Sequence, residues 1–262
     1  MSKNFELLTQ FEKNRQLFGE ATPTSEPAVI EHPEAKFGKS FQKAMMKPVE
    51  LGLAESTRKE VAKLVQRVFQ SCQNGAAPHA VMFCGIEHGD GTTWISAQVA
   101  RTVATQGIGT VCVVDTNFRW PTLHTYFGSR NDLGLADALR DTKPIRNFLQ
   151  IGNIPNLHVL SSGAHADASL TLVPGRMRDR IAELRAEFDW LIFDVPPVEQ
   201  SGEAVVLGPL VDGVVIVVSA HTTRRATARM AKESLETAQV RLLGTVLNNR
   251  TFPIPESLYR RL

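Results

Sequence analysis

Apolar runs alternate with amphipathic helical patterns along most of the chain. Because the apolar residues in these runs stand at consecutive positions, they are typical of strands buried on both faces of a parallel sheet. The predicted strands are 80–85, 110–115, 157–161, 190–194, 213–218 and 242–247. The predicted helices are 55–73, 92–106, 133–140, 175–187 and 223–238. This alternation predicts an α/β fold, a doubly wound and mostly parallel sheet with helices on both faces.

The pattern also divides the chain into four parts. Residues 1–18 carry apolar side chains at helical spacing, which predicts an N-terminal amphipathic helix. Residues 19–50 contain several prolines and no sustained period, which predicts a flexible linker. The compact domain is therefore expected over residues 51–250, followed by a short tail at residues 251–262.

Composition and charge narrow the class of protein. A chain of 262 residues with 43% apolar content is long enough to bury a hydrophobic core. Its formal charge of +2 offers no basic stripe, so we expect no nucleic-acid partner. Cys84 and Cys112 lie inside apolar runs, as small core residues do. Since no segment has the apolar character of a signal peptide or membrane span, we expect a cytoplasmic protein without direct membrane insertion.

The segment 81–94 joins the first predicted strand to a helix through a glycine-bearing turn. The turn and the start of the helix contain Gly89, Asp90, Gly91, Thr92, Thr93 and Trp94. In the P-loop (Walker) pattern G-x-x-x-x-G-K-[S/T], backbone N–H groups bind phosphates, the lysine reaches the terminal phosphate and the hydroxyl holds Mg²⁺. Gly91 and Thr93 fit this pattern, whereas Thr92 stands at the lysine position and Ile86 at the first glycine. A plain connection and a phosphate site are both compatible with this turn alone.

Polar residues close three of the predicted strands. Asp115, Asp194 and Asn248 each follow directly on an apolar run. Ligands of open α/β sheets bind at the carboxyl ends of the strands, so these side chains should converge on the loop at 86–93. One such Asp is often a turn former or a helix cap, but the two together favour a site for a metal ion and a nucleotide.

In its combination of motifs the chain resembles a known family. The degenerate P-loop is followed by Asp115-x-Asn117-x-Arg119-x-Pro121 and by Asp194-Val-Pro-Pro197. Further matching segments between about Glu60 and Asn249 are 123–128, 134–139, 157–163, 176–178 and 244–248. In these segments the chain is similar to the bacterial tyrosine kinases of capsule and exopolysaccharide synthesis, a branch of the Mrp/MinD P-loop ATPases.

This resemblance implies ATP or ADP with Mg²⁺ as cofactors. The implied cofactor-binding residues are Gly89, Asp90, Gly91, Thr92, Thr93, Trp94 and Asn248. Thr93, Asp115 and Asp194 would bind Mg²⁺, and Asn248 would face the adenine. The two aspartates and Arg119 are the candidate catalytic residues.

The chain departs from the family pattern at positions that carry charge. Thr92 replaces the P-loop lysine, and Asn117 replaces the second acid of the Asp-x-Asp segment. The family's C-terminal tyrosine cluster is absent, since the only tyrosines are Tyr126, in an apolar context, and Tyr259, in a basic tail. Losing one charged group of this kind costs phosphoryl transfer ~10³-fold, whereas backbone contacts to phosphate survive. We therefore expect a pseudokinase with weak or lost catalysis.

Three functions stay open on this basis. The leading one is a cytosolic kinase-like regulator of exopolysaccharide synthesis that binds a Wzz-type membrane co-polymerase or an active kinase paralogue, which would recruit it to the inner membrane. The second is an active ATP-dependent tyrosine autokinase that uses a cation from Arg119 or a neighbouring subunit. The third is a MinD-type positioning ATPase. The family's oligomer-forming E-x-x-R-x-x-R segment is matched in part by Glu60, Lys63 and Gln66, which implies a homo-oligomer.

Overall fold

The computed structural model of the chain describes residues 54–70, 77–164, 174–200, 202–220 and 222–249. The predicted N-terminal helix, the linker and the C-terminal tail with Tyr259 lie outside these residues. Those parts of the domain organisation stay predictions.

The described residues build one sheet with the strand order β3-β4-β2-β5-β1-β6-β7. The strands are β1 (Ala80–Gly85), β2 (Val111–Asp115), β3 (Gln150–Ile151), β4 (Leu157–Leu160), β5 (Trp190–Val195), β6 (Gly213–Ser219) and β7 (Leu242–Asn248). Neighbouring strands are parallel except for the short edge pair β3 and β4. The mostly parallel sheet predicted from the apolar runs is therefore confirmed.

Helices connect the strands and cover both faces of the sheet. They are α1 (Glu55–Val65), α2 (Thr92–Thr105), α3 (Leu123–Phe127), α4 (Leu135–Arg140), α5 (Pro174–Glu187), α6 (Glu203–Leu207) and α7 (Arg225–Thr237). Helix α1 continues into a π-helical turn at Gln66–Gln70. Short 3₁₀ turns lie at Ile145–Phe148 and Gly208–Leu210.

Alternate side chains of the central strands pack into two separate cores. On β1, Met82 and Cys84 join the core on one face, and Val81 and Phe83 join the core on the other. All four side chains are fully buried. Since successive side chains of a strand point to opposite faces, a strand covered on both sides must be apolar at every position, as the sequence pattern requires.

The structure differs from the sequence-based expectation mainly in its short elements. The two-residue strand β3 and the five-residue helices α3 and α6 were not predicted. Elements of this length complete no more than one or two periods, so their sequences carry no periodic signal. The six longer strands are found within one or two residues of their predicted bounds.

The two cysteines within the described residues serve as core side chains. Cys84 and Cys112 are free thiols without solvent exposure. Burial raises the pKa of Cys84 to about 12, so that its thiol stays protonated at neutral pH. Among the described residues no helix is long and apolar enough to cross a membrane.

Candidate functional site

The loop between β1 and α2 has the backbone of a phosphate site. Gly89 and Gly91 adopt left-handed conformations with φ of 92° and 84°, which glycine adopts at little cost. Gly91 is the N-cap of α2, and no side chain caps the first turn of this helix. A Cβ atom at Gly91 would collide with the side-chain amide of Asn248. The first N–H groups of α2 are therefore available to an anion, and the helix dipole favours one there.

The Asp90 side chain holds this loop in shape. Its Oδ2 atom accepts hydrogen bonds from the N–H groups of Ile86 at 2.8 Å and Glu87 at 2.9 Å. Its Oδ1 atom accepts a bond from the Thr223 hydroxyl at 3.2 Å. Because the residue is only 2% exposed, the carboxylate of Asp90 is directed into the loop. Asp90 thus shapes the phosphate loop from within.

Asn248 reaches the same loop from the end of β7. Its Nδ2 atom donates to the backbone oxygen of Asp90 at 2.9 Å. The same amide lies directly against Gly91. Asn248, at the end of its strand, therefore contacts the loop as predicted. Its predicted contact with adenine stays a prediction.

The lysine position of the pattern contains no cation. The hydroxyl of Thr92 packs close to Gly85, where an added Cβ atom would stand 2.7 Å from the Thr92 Oγ1 atom. The half-buried Trp94 packs against the core cluster that includes Ile95 and Val99. Neither side chain therefore supplies positive charge to the loop.

Asp115 and Asp194 form a carboxylate pair beside the loop. They are register neighbours at the carboxyl ends of β2 and β5, and they are 0% and 2% exposed. Burial raises the pKa of Asp194 to about 7. Burial and then the charge of Asp194 raise the pKa of Asp115 well above its ordinary range. Hydrogen bonds from the backbone N–H groups of Asn117 and Leu123 to Asp115, and from Ser96 to Asp194, offset these shifts only in part.

Two hydroxyl groups from α2 complete the polar surroundings of Asp194. The side chain of Thr93 lies close enough to the Asp194 carboxylate to lower its pKa. The Ser96 Oγ atom lies 3.1 Å from Oδ1 of Asp194 and 3.0 Å from the backbone oxygen of Thr92. Carboxylate and hydroxyl oxygens are ligands that Mg²⁺ prefers, and the buried, uncompensated acids favour a divalent cation. Thr93, Asp115 and Asp194, the residues predicted to bind Mg²⁺, therefore stand together and fit the ion.

The segment after β2 uses its polar side chains to form a turn. Asp115 accepts from the N–H groups of Asn117 at 2.9 Å and Leu123 at 3.2 Å. The Oδ1 atom of Asn117 accepts from the N–H of Trp120 at 3.1 Å. Arg119 is exposed. Its predicted catalytic role stays a prediction.

Ser96 and Thr223 are polar contacts of the site that the sequence analysis missed. Ser96 stands three positions after Thr93, so helical periodicity places both hydroxyls on one face of α2. Thr223 lies just beyond β6, another strand whose carboxyl end points toward the loop. Both could have been found by applying helical spacing and the strand-end rule to every polar residue nearby.

The chain is similar to known sequences over the part that contains this site. A sequence model of the family described as "Cellulose biosynthesis protein BcsQ" matches residues 79–249. Tyrosine-protein kinase YwqD of Bacillus subtilis is 33% identical over 172 residues, which are 65% of this chain and 72% of that protein. EpsB of Ralstonia solanacearum is 27% identical over 191 residues, or 72% of this chain, but the chain spans only 25% of that longer protein.

Solved structures show the same fold. The chimerical protein CapA2B2 is similar with a TM-score of 0.69 at 22% identity, over 80% of this chain and 91% of that one. MinD from Pyrococcus horikoshii, solved in complex with Mg-ADP, has a TM-score of 0.56 at 18% identity, over 70% of this chain and 76% of that one. At these identities the likeness establishes the fold alone.

The fold is therefore that of a P-loop NTPase, with a phosphate loop and a carboxylate pair at the carboxyl edge of its sheet. Within this class, the chain belongs to the bacterial tyrosine kinase family, and it also matches the family model of the cellulose biosynthesis protein BcsQ.

Proposed function

We propose that this chain is a nucleotide-binding regulator of exopolysaccharide or capsule synthesis with weak or lost kinase activity. The observation that carries the proposal is a contrast within one site. The loop at 86–91 and the pair Asp115 and Asp194 keep the architecture for Mg-nucleotide binding, while Thr92 leaves the lysine position without charge.

Nucleotide binding is supported by groups that do not depend on the missing lysine. The uncapped N-terminus of α2 offers N–H donors and the positive end of the helix dipole to phosphates. Thr93, Asp115 and Asp194 would hold Mg²⁺, which when bound neutralises phosphate charge. The cation would in turn relieve the repulsion between the two buried acids.

Weak catalysis is supported by the missing charges. Phosphoryl transfer proceeds almost wholly through positioning and charge stabilisation, and each lost charged group removes orders of magnitude in rate. Thr92 packs toward Gly85, and the side-chain oxygen of Asn117 is occupied in a turn. Arg119 is exposed, so solvent screens its charge.

A regulatory role is supported by the family. The description of the matching family model names the biosynthesis of a polysaccharide, cellulose. The relative YwqD is named a tyrosine-protein kinase. We propose that the chain acts by binding a membrane co-polymerase of the Wzz type or an active kinase paralogue. Either partner would recruit a cytoplasmic protein to the inner membrane, and the partial match at Glu60, Lys63 and Gln66 supports a homo-oligomer.

Two other functions also have observations in their favour. Asp115 and Asp194 stand together as an active tyrosine autokinase requires, and YwqD is named a kinase. The likeness of the fold to MinD with Mg-ADP favours a positioning ATPase. Both alternatives require turnover, and turnover is what the absence of charge at Thr92 argues against.

The test is an autophosphorylation assay on the purified full-length chain with Mg-ATP. Phosphotyrosine is read by antibody and by mass spectrometry, and nucleotide binding is measured on the same sample. We expect bound nucleotide and no more phosphotyrosine than in the variant Asp194→Ala. Strong tyrosine phosphorylation that Asp194→Ala abolishes would instead establish the active autokinase.

A further inference from the structure

Thr223 lies between β6 and α7 and contacts the phosphate loop from outside. Its Oγ1 atom lies 3.2 Å from Oδ1 of Asp90, which is 133 positions earlier in the chain. The N–H group of Ser219, the last residue of β6, donates to the same hydroxyl oxygen at 3.2 Å. One hydroxyl group therefore joins the end of a central strand to the phosphate loop.

The chemistry of the three groups fixes the direction of both bonds. A hydroxyl group has one proton and two lone pairs, and a backbone N–H can only donate. The N–H of Ser219 therefore uses a lone pair of Thr223, and the hydroxyl proton is directed to the Asp90 carboxylate. A hydrogen bond to an ionised acceptor is roughly twice as strong as one between neutral groups.

The Asp90 carboxylate is held by donors from two different parts of the chain. Its Oδ2 atom accepts from the N–H groups of Ile86 and Glu87, which belong to the loop itself. Thr223 is the donor to Oδ1 from outside the loop. Because Asp90 is only 2% exposed, water cannot readily replace this donor, and its loss leaves a buried acceptor poorly satisfied.

Two neighbouring strand ends hold different parts of Asp90. Thr223, beyond β6, holds its carboxylate, and Asn248, at the end of β7, donates to its backbone oxygen at 2.9 Å. The two strand ends are joined to each other, since the N–H of Ala220 donates to the backbone oxygen of Asn248 at 2.9 Å. Both the side chain and the backbone of Asp90 are therefore fixed to the sheet.

The position of Asp90 determines where α2 begins. Gly91 follows directly and is the N-cap of α2. Because the two residues share a peptide bond, a shift of Asp90 also shifts the first turn of the helix. The N–H groups of that turn are the ones that an anion would bind, and donors already held in place bind a ligand without a further cost in ordering.

We propose that Thr223 is a positioning residue for nucleotide binding. Through its bond to Asp90 it holds the phosphate loop in the shape that presents the N–H groups of α2, and it acts through Asp90 rather than through the nucleotide. This inference rests on the proposed function for its ligand, whereas the effect of Thr223 on the loop can be measured without any ligand.

The test first follows the loop in the purified full-length chain without nucleotide. Amide hydrogen exchange, resolved by NMR, is measured at Ile86 and Glu87, whose N–H groups bond to the loop carboxylate. Thr223→Val keeps the shape of the side chain and removes the hydroxyl group, whereas Thr223→Ser keeps the hydroxyl group. Thr237→Val is the matched control, because the Thr237 hydroxyl at the other end of α7 bonds only the backbone oxygen of Glu233 in its own helix. Calorimetry then measures the affinity of each protein for Mg-ATP.

We expect Thr223→Val to accelerate exchange at Ile86 and Glu87 about tenfold and to lower the affinity for Mg-ATP about tenfold. Thr223→Ser should keep most of the protection and of the affinity, and Thr237→Val should change neither. Exchange within β1, which is paired with β5 and β6, should be the same in every variant and so reports that the domain stays folded.

Asp90→Asn, which replaces the charged acceptor by a neutral one, separates positioning from packing. If Thr223 acts through the carboxylate, Thr223→Val should reduce the affinity less in this background than in the wild type. Equal losses in both backgrounds, unchanged exchange at Ile86 and Glu87, or a Thr223→Ser variant as impaired as Thr223→Val would overturn this inference and leave nucleotide binding intact. Absence of Mg-ATP binding in the wild type would overturn the proposed function, while exchange at the two amides would still decide whether Thr223 holds the loop.

Discussion

The two halves of the carboxyl edge of the sheet differ in how their buried carboxylates are stabilised. On one side, the Asp90 carboxylate accepts hydrogen bonds from two loop N–H groups and from the Thr223 hydroxyl. The backbone oxygen of Asp90 accepts a hydrogen bond from the Asn248 amide. On the other side, Asp115 and Asp194 are buried side by side without a cation among the described residues. The loop is held in shape by its own hydrogen bonds, whereas burial raises the pKa values of the two aspartates, and the charge of Asp194 raises that of Asp115 further.

This difference separates binding from catalysis. A loop whose shape is fixed by internal hydrogen bonds can receive phosphates without reorganising, which favours binding. Buried acids with raised pKa values destabilise the free protein and favour the form that binds a metal ion. The missing charge at Thr92 affects the chemical step far more than the loop itself.

The largest expected effect is on turnover in Thr92→Lys combined with Asn117→Asp. Restoring both charges should raise ATP hydrolysis or autophosphorylation by about 100-fold or more, because charge stabilisation dominates phosphoryl transfer. The side-chain oxygen that bonds Trp120 is kept in Asn117→Asp, so the turn should persist. Steady-state ADP production measures the change in turnover. An unchanged rate would show that the two missing charges do not account for the low activity.

Asp194→Asn should lower Mg-dependent ATP affinity by about 100-fold, since it removes a carboxylate from the metal-binding group. The same variant should raise the melting temperature of the metal-free protein by several degrees, because a strained buried acid becomes neutral. Calorimetry and thermal unfolding measure the two effects.

Asp189→Asn is the matched control for this prediction. Asp189 lies at the opposite edge of the sheet, where it accepts two bonds from Thr110, and these bonds lower its pKa. The control should lower the melting temperature and leave ATP affinity unchanged. If Asp194→Asn also lowered the melting temperature, the carboxylate pair would not be the strained half of the site.

Stability should depend on pH through Asp194. The folded-state pKa of about 7 exceeds the ordinary value of 3.8, so between these values the unfolded chain binds fewer protons than the folded chain. The contribution of Asp194 to the free energy of unfolding therefore falls as pH rises from about 4 to about 7. Melting temperatures without Mg²⁺ across this range should fall with a steeper slope in the wild type than in Asp194→Asn. Equal slopes would contradict the assignment.

The smallest expected effect comes from the satisfied half. Asn248→Ala removes the bond to the backbone oxygen of Asp90, which should cost about 1 kcal/mol of stability and reduce ATP affinity several-fold. Asn249→Gly is the control, because the Asn249 amide makes only a long 3.3 Å bond to the Ser219 hydroxyl and glycine accepts the left-handed φ of 55° at this position. Urea unfolding and calorimetry distinguish the two variants, and equal losses would show that Asn248 does not hold the loop.

Much of the fold followed from local pattern. The strands 80–85 and 213–218 were predicted within one residue of β1 and β6, because strands covered on both faces require consecutive apolar residues. The short helix α3 escaped prediction, because five residues do not define a helical period.

The candidate site was predictable where it depends on position along a strand. Asp115, Asp194 and Asn248 converge because the carboxyl ends of parallel strands share one edge of the sheet. The role of Asp90 was not predictable, since only the structure shows that its carboxylate turns inward to bond Ile86 and Glu87. The bond from Thr223 to the same carboxylate joins residues that are 133 positions apart, and such a tertiary contact is contained in no local pattern.

Calorimetry tests the central claim most directly. The purified full-length chain is titrated with ATP, with and without Mg²⁺, and ADP production is followed in the same samples. We predict saturable binding at one site that is strengthened by Mg²⁺, with ADP production no greater than in Asp194→Ala. Absence of binding, or binding accompanied by rapid turnover, would contradict the account.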